Sequence, residues 1–194
     1  MFLMNCLLSY SQNTDYESII HLDEVLITEK IVVNSKRIKT KGRDNASFSI
    51  TGNSTFLTLV DEIPAGNLGS VKFFFNNRKK EEYADRMFEL VIFKKGLDGL
   101  PGEKLITENL HFKISKEHRG EIEISLKNLN LRTYKELYFG LKLLNGDENS
   151  SGFSIDSNHN KKSSVYFLIE GSDGWIEVPG INFNLELKVY NTKI

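Results

Sequence analysis

One stretch near the end of the chain carries residue types that recognise sugars. The tryptophan Trp175 stands there, close to Asp173 and Glu177. An exposed aromatic ring can stack on the apolar face of a pyranose ring, and carboxylates accept hydrogen bonds from its hydroxyl groups. Aromatic residues of small domains more commonly belong to the core, so the pattern leaves both interpretations open. We take Trp175, Asp173 and Glu177 as a candidate ligand-binding site.

A second candidate site lies in the polar stretch 145–164, which is rich in Asn and Ser. Asp147, Asp156 and Asn158 offer the oxygen ligands that Ca²⁺ requires. Their spacing matches no EF-hand loop, and most stretches of this composition are simply solvated. The sequence therefore predicts a long loop over 145–164, with these three residues as candidate calcium ligands and with no other cofactor.

Motifs for catalysis are missing from the sequence. The four histidines do not have the spacing of a zinc site, and H-E-x-x-H does not occur. G-x-S-x-G, the P-loop and G-x-G-x-x-G are also absent, and the one cysteine, Cys6, lies in the apolar first residues. We therefore predict that the protein is not an enzyme.

Charge argues against nucleic acid as a partner. The 194 residues carry a formal net charge of −1, and the nearest approach to a basic stripe runs from 36 to 43. That cluster lies in a polar stretch without interleaved aromatic residues, whereas nucleic-acid binders normally show a basic excess or stripe. The sequence predicts no nucleic-acid partner. No apolar run is long enough to span a bilayer either.

The elements that must hold these residues are short β-strands. Apolar runs rich in β-branched and aromatic residues occur at 88–93, 122–126 and 138–144, with Gly, Pro, Asp or Asn between them. The stretches 121–126 and 183–189 alternate apolar and polar residues, as half-buried strands do. No convincing 3.6-residue period is present. The pattern predicts an all-β, jelly-roll-like antiparallel β-sandwich of roughly nine or ten strands, with a transthyretin-like or immunoglobulin-like sandwich as the alternative.

The alternation also predicts the core, because every second side chain of a strand shares one face. The expected core residues are Phe88, Leu90, Ile92, Ile122, Ile124, Leu126, Phe139, Leu141, Leu143, Phe183, Leu185, Leu187 and Val189.

The first residues resemble the end of a secretory leader, because an apolar run at 2–8 is followed by small polar residues. A first β-strand or a disordered end is the alternative. Lipidation at Cys6 is disfavoured, since Asn5 stands where a small residue is required. We divide the chain into a signal-peptide remnant at 1–12, an N-terminal strand and polar segment at 13–45, and a β-sandwich domain at 46–194.

Several segments together are similar to a known family. They are FELVIF at 88–93, DGLPGEKL at 98–105, YFGLKLL at 138–144, Trp175 and FNLELKV at 183–189. The set resembles the C-terminal jelly-roll region of secreted bacterial proteins with a carboxypeptidase-regulatory-like domain. LDEVLIT at 22–28 is similar to the end of the transthyretin-like domain that precedes that region. The stretch before Leu22 is too short for such a domain, so the resemblance implies the sandwich alone, outside the cytoplasm, without catalytic residues.

These observations favour a non-catalytic, secreted or envelope-associated β-sandwich that acts as a binding or structural module. The alternative is a carbohydrate-binding module that acts through loop aromatics. The partners expected are a glycan or an envelope protein. The localisation expected is extracytoplasmic: the periplasm, the outer-membrane surface or the medium.

The first prediction concerns the leader-like segment. We expect the mature protein from its native host to begin near residue 12, because the leader would be removed on export. Mass spectrometry of the intact protein measures this directly. A mature chain that still begins with Met1 or Phe2 would contradict it.

Overall fold

The computed structural model describes residues 32–50, 52–75, 85–144 and 153–192. The predicted leader remnant at 1–12 and residues 13–31 of the N-terminal segment lie outside these ranges. The twelve described strands are β1 Val32–Lys39, β2 Arg43–Ile50, β3 Ser54–Val60, β4 Asn67–Phe75, β5 Arg86–Lys95, β6 Pro101–Lys104, β7 Leu110–Ile114, β8 Gly120–Ser125, β9 Leu137–Leu143, β10 Phe153–Ile169, β11 Ile176–Phe183 and β12 Leu185–Thr192. A 3₁₀ turn at Lys127–Leu129 follows β8.

The predicted all-β, antiparallel architecture is confirmed. Every strand pairing in the described part of the chain is antiparallel, and the twelve strands form one connected, open sheet. The count exceeds the expected nine or ten partly because the polar segment before residue 46 contributes β1 and the start of β2. These strands pair with β12 and β10, respectively.

The connected sheet folds over to make two layers. One layer has the order β1-β12-β4-β8, and the other has the order β10-β3-β9-β5, with β6 and β7 sharing the far edge of β5. Core residues come from both layers and pack into one apolar cluster. This is the sandwich arrangement, in which the inner faces of two sheets interdigitate.

Strand β10 joins the two layers, and chain connectivity forces it to bend. Its first half pairs with β2, with Phe153 opposite Ile50, and its second half pairs with β3, with Ile169 opposite Ser54. A straight 17-residue strand would hold Phe153 and Ile169 about 50 Å apart. The link from Ile50 to Ser54 spans at most about 15 Å. The two halves of β10 must therefore turn sharply towards each other.

The turn lies between His159 and Ser164 of β10. Over this interval β10 advances by five residues while its partner β11 advances by two, from Ile181 to Pro179. Gly180 sits on the inside of the bend with a φ of 84°, a backbone region that costs other residues strain. We call residues 159–164 the β10 corner. Bends of this kind let a strand pass from one sheet to another.

The predicted core is largely confirmed. Eleven of the thirteen expected residues are buried to within about 1% exposure, and Ile122 and Ile124 are half-buried against the same cluster. The sequence pattern did not single out the apolar residues of β3, β4 and β10, which contribute equally. These residues are Phe56, Val71, Phe73, Phe75, Phe153, Ile155 and Val165.

A glycine in the middle of β9 explains how closely two strands of the second layer approach. A Cβ atom added at Gly140 would lie 1.7 Å from the carbonyl oxygen of Phe56 and 2.8 Å from the Cα of Leu57. Glycine normally weakens a strand interior. Here it is required because backbone atoms of β3 occupy the space of a side chain.

The prediction of a loop over 145–164 is wrong for the residues that the structure describes. Residues 153–164 belong to β10, and the expected short strand at 165–169 is only its second half. Residues 158–164 of the stretch are polar because they approach and turn the corner, where their side chains hydrogen-bond to the β1–β2 turn and to β11 rather than pack on an apolar layer.

Truncation of a residue at the centre of the core measures how much the interlayer packing contributes. Leu185 is fully buried, so Leu185→Ala should lower the free energy of unfolding by about 2–5 kcal/mol. Leu97→Ala is the matched control, because Leu97 is fully exposed and its loss should change stability by less than about 0.5 kcal/mol. Urea denaturation of the three proteins tests this, and equal midpoints for Leu185→Ala and wild type would refute the packing assignment.

Candidate functional site

A cleft of about 770 Å³ opens at the β10 corner. Its walls come from four separate parts of the chain: residues 38–43, residues 59–62, the corner with Tyr166, and the two β11 residues Glu177 and Asn182. The end of β1 and the turn into β2 therefore face the bend of β10 across the opening. We call this the corner cleft.

Asparagine side chains fix the β1–β2 turn against β10 and β11. The Nδ2 of Asn182 donates to the carbonyl oxygen of Lys41 at 3.1 Å and to the Oγ of Ser163 at 3.3 Å. The Nδ2 of Asn160 donates to the same carbonyl at 3.1 Å. Asn158 lies directly opposite Asn182 across the β10–β11 ladder and donates to the Oγ1 of Thr40 at 3.3 Å.

The same asparagines leave acceptor atoms unused. Among the described residues, the Oδ1 atoms of Asn158, Asn182 and Asn184 are buried and accept no hydrogen bond. A buried acceptor without a donor costs about 1–3 kcal/mol. Asn182 is only 2% exposed, yet its side chain lines the cleft.

Gly42 allows the turn to approach β10 closely. A Cβ atom at this position would lie 2.5 Å from the Cβ of Asn158 and 2.9 Å from the carbonyl oxygen of His159. Both are contacts that real side chains do not make. The depth of the corner cleft therefore depends on a residue without a side chain at position 42.

A tyrosine–carboxylate pair forms the opposite wall. The Oε1 of Glu177 accepts hydrogen bonds from the Oγ of Ser164 at 2.5 Å and from the hydroxyl of Tyr166 at 3.3 Å. Burial raises the pKa of the Tyr166 phenol, and the charge of Glu177 adds to this effect, so the phenol stays protonated and keeps donating. Both bonds end on Oε1, and Glu177 as a whole is exposed.

Charged residues surround the mouth. Lys41 forms an ion pair with Glu62 at 3.2 Å, and Glu62 adopts a left-handed φ of 54°, which a residue with a side chain holds only where its surroundings enforce it. Lys161 and Lys162 project from the β10 corner, and Arg43 lies opposite His159 on the β2–β10 ladder. The mouth thus combines both signs of charge, with cations in the majority.

The structure places Trp175 elsewhere, on the outer face of the second layer. Its ring meets Phe93 edge-on, with the ring centroids 5.7 Å apart, and it packs with a small cluster around the buried residues Leu57, Val91 and Tyr138. The ring is half-buried. Trp175 therefore covers an apolar patch and keeps one side towards solvent.

Only part of the predicted sugar site comes together at the cleft. Glu177 lines the cleft, whereas Asp173 is exposed in the β10–β11 loop and Trp175 packs on the outer face. Tyr166 connects the two regions, because it lines the cleft and meets the ring of Tyr138 at 5.3 Å within the Trp175 cluster. No finding tests these three residues as ligand contacts, and that role remains a prediction.

The predicted calcium ligands do not share a loop. Asp147 lies outside the described residues, while Asp156 and Asn158 stand within β10, where the first is half-buried and the second is fully buried. The amide of Asn158 is bound to Thr40, as described above. In the described ranges no group of three or more His, Cys, Asp or Glu residues is placed to hold a metal ion.

The sequence missed Asn182 and the lysines of the corner as site residues. One signal was available: Asn158, Asn160 and Lys161–Ser163 interrupt a stretch whose flanks, Phe153–Ile155 and Val165–Ile169, are apolar. A polar insert between two apolar half-strands is typical of a bend. It does not reveal which distant segments lie against the bend.

Comparison with known proteins supports the fold. The sequence matches no family model and no curated protein. Two solved structures share its architecture. One is of the cysteine protease and lectin-like domains of Cwp84, a surface layer associated protein of Clostridium difficile, with a TM-score of 0.50 and 13% identity over 72% of this chain. The other is of the clostridial cysteine protease Cwp84 after propeptide cleavage, with a TM-score of 0.55 and 12% identity over 81% of this chain.

This chain spans only 33% and 40% of the lengths of those two structures. At such low identity the likeness shows the fold alone. The likeness to the carboxypeptidase-regulatory-like family, expected from the sequence, is tested by none of these matches. Within the described ranges, no helix has the length and apolar character needed to cross a membrane.

The position of Trp175 predicts a contribution to stability. Trp175→Ala removes the ring that covers the outer apolar patch, so it should lower the free energy of unfolding by about 1–3 kcal/mol. Asp173→Ala in the same loop is the control and should change it by less than about 0.5 kcal/mol, because Asp173 is exposed. Denaturant unfolding followed by circular dichroism measures both, and a Trp175→Ala protein as stable as wild type would contradict the packing role.

Proposed function

We propose that the protein is a non-catalytic, extracytoplasmic binding module, and that it holds a glycan in the corner cleft. The observation that carries the proposal is the polar lining of this concave cleft, to which asparagine, serine, lysine, glutamate and tyrosine residues contribute. Sugars present many hydroxyl groups, each of which donates one hydrogen bond and accepts two. The cleft offers complementary partners of both kinds.

Individual side chains of the lining can form hydrogen bonds with sugar hydroxyl groups. The carboxylate of Glu177, an exposed residue of the lining, is an acceptor that a sugar hydroxyl could donate to. The lysines of the mouth are donors. Tyr166 adds an aromatic surface beside them. Binding sites of this type are concave and contain a few convergent polar groups on a rigid scaffold.

Fold likeness supports the same interpretation. The solved structures that resemble this chain come from a protein with a lectin-like domain, and that protein is surface layer associated. Lectin-like sandwiches of a surface protein are consistent with a module that works outside the cytoplasm. The leader-like first residues and the resemblance to secreted carboxypeptidase-regulatory-like proteins support the same location.

The non-catalytic part of the proposal rests on the sequence and on the site. The chain has no nucleophile motif, and its one cysteine lies in the leader-like segment. In the cleft, Glu177 is bound by a serine and a tyrosine, and Glu62 is paired with a lysine. Both carboxylates therefore already have hydrogen-bonding or ion-pair partners, an arrangement that suits a binding surface.

The cleft is a better candidate than the Trp175 loop. Trp175 packs against Phe93, so its ring is partly committed to covering the outer apolar patch. Glu177 is the one member of the predicted sugar site that the cleft contains. A binding role through Trp175 therefore becomes the alternative within the same function.

Binding measured on a glycan array, followed by calorimetry on the best hit, tests the proposal. Glu177→Gln should weaken that hit about tenfold, since hydrogen bonds to charged groups contribute about 1.5–3 kcal/mol. Glu117→Gln is the matched control: Glu117 is exposed, lies outside the cleft and should bind like wild type.

Two results would overturn the proposal. Absence of binding by the wild-type protein to every glycan on the array would refute glycan binding as the function. Full binding by Glu177→Gln, together with loss of binding by a folded Trp175→Ala protein, would move the site to the Trp175 loop.

A further inference from the structure

We infer that the glycan bound in the corner cleft is acidic, with carboxylate or phosphate groups on its sugar chain. This inference rests on the proposed function and names the class of its ligand. It comes from the placement of cations at the mouth of the cleft, which the recognition of hydroxyl groups alone does not require.

Three cations at the mouth have no acidic partner among the described side chains. Arg43, Lys161 and Lys162 are exposed, and the described residues form no ion pair with any of them. A fourth, Lys41, is shared with Glu62 at 3.2 Å. Their charges therefore remain available to a ligand that enters the cleft.

The carboxylates of the cleft offset these cations only in part. Glu62 is paired with Lys41, whereas Ser164 and Tyr166, the partners of Glu177, are neutral and offset none of its charge. Asp61 is the third acidic residue of the lining, which also contains five cationic residues, because Lys39 belongs to it as well. Positive charge therefore exceeds negative charge at the mouth, and a concave site strengthens the field that a ligand meets.

The bend of β10 holds two of these cations at the opening of the cleft. The β10 corner contains more residues than β11 needs to follow it, and Lys161 and Lys162 are within this excess. The side-chain oxygen of Asn160 accepts a hydrogen bond from the backbone N–H of Lys162 at 3.0 Å, which closes the local turn. Asn160 also donates to the carbonyl oxygen of Lys41. One asparagine therefore fixes both lysine-bearing segments at the opening.

A matched set of polymers tests the charge preference. The probes are polygalacturonate, the same polymer with its carboxylates methyl-esterified, and phosphorylated dextran. We expect the wild-type protein to bind at least one anionic polymer more than about fivefold tighter than the esterified one, with an affinity that falls as NaCl rises. The two anionic polymers separate carboxylate ligands from phosphate ligands.

Charge variants locate the effect at the cleft. Lys161→Gln with Lys162→Gln should weaken binding of the preferred anionic polymer about fivefold or more and reduce its salt dependence. Lys36→Gln with Lys116→Gln removes the same charge away from the cleft and should leave binding unchanged. Glu62→Gln should strengthen binding about twofold, because it releases Lys41 from its ion pair.

The outcomes separate this inference from the proposed function. Equal affinity for the acidic and esterified polymers, or for a neutral glycan from the array, would overturn the acidic ligand and leave glycan binding intact. Equal losses in the two double-lysine variants would also overturn it, since the effect would then come from net charge. If the wild-type protein binds neither these polymers nor any glycan on the array, both the acidic ligand and glycan binding are refuted.

Discussion

The bend of β10 is the constraint on which the rest of the structure depends. Each half of this strand must satisfy the backbone hydrogen bonds of a different neighbour, β2 or β3, and the short link between those neighbours prevents the halves from lying in line. Buried backbone groups need partners, so the ladder cannot simply be abandoned at the turn. The bend brings Phe153 and Ile155 into the same apolar cluster as Val165. A single hairpin, β10–β11, thereby closes one side of the sandwich.

The corner cleft follows from that bend. Residues at the outside of a corner cannot continue the regular ladder, and their side chains and carbonyl groups become available for other contacts. Asn160, Asn182 and Ser163 use them to hold the β1–β2 turn. These hydrogen bonds offset the free-energy cost of bending the strand. Some polar atoms at the corner remain without a hydrogen bond, and they lie at a concave surface. The stability of the corner and the polar lining of the cleft thus depend on the same few asparagines.

The sequence predicted the regular strands of this fold, but it did not predict the bend of β10. Strands such as β8 and β12 can be predicted from the sequence alone, because their apolar and polar residues alternate. This alternation follows from one buried and one exposed face. The β10 corner has no such faces, so its Asn, Lys and Ser residues are typical of a loop. Lys41, Glu62 and Glu177 are far apart in the chain, and only long-range strand pairing brings them together. Trp175 resembled an exposed binding residue because sequence neighbours do not reveal a ring 5.7 Å away on β5.

The pairing of β1 with β12 has a mechanical consequence. Val32, at the start of β1, lies opposite Thr192, at the end of β12, so the first and last described strands present their outer ends side by side. A load applied across these ends pulls along the interstrand hydrogen bonds, which lie perpendicular to antiparallel strands and would break one after another. Strands β1 and β12, when pulled apart in this direction, therefore separate at low force. Because β1 leads directly into the turn that walls the corner cleft, tension on the chain would deform the cleft before it reached the core.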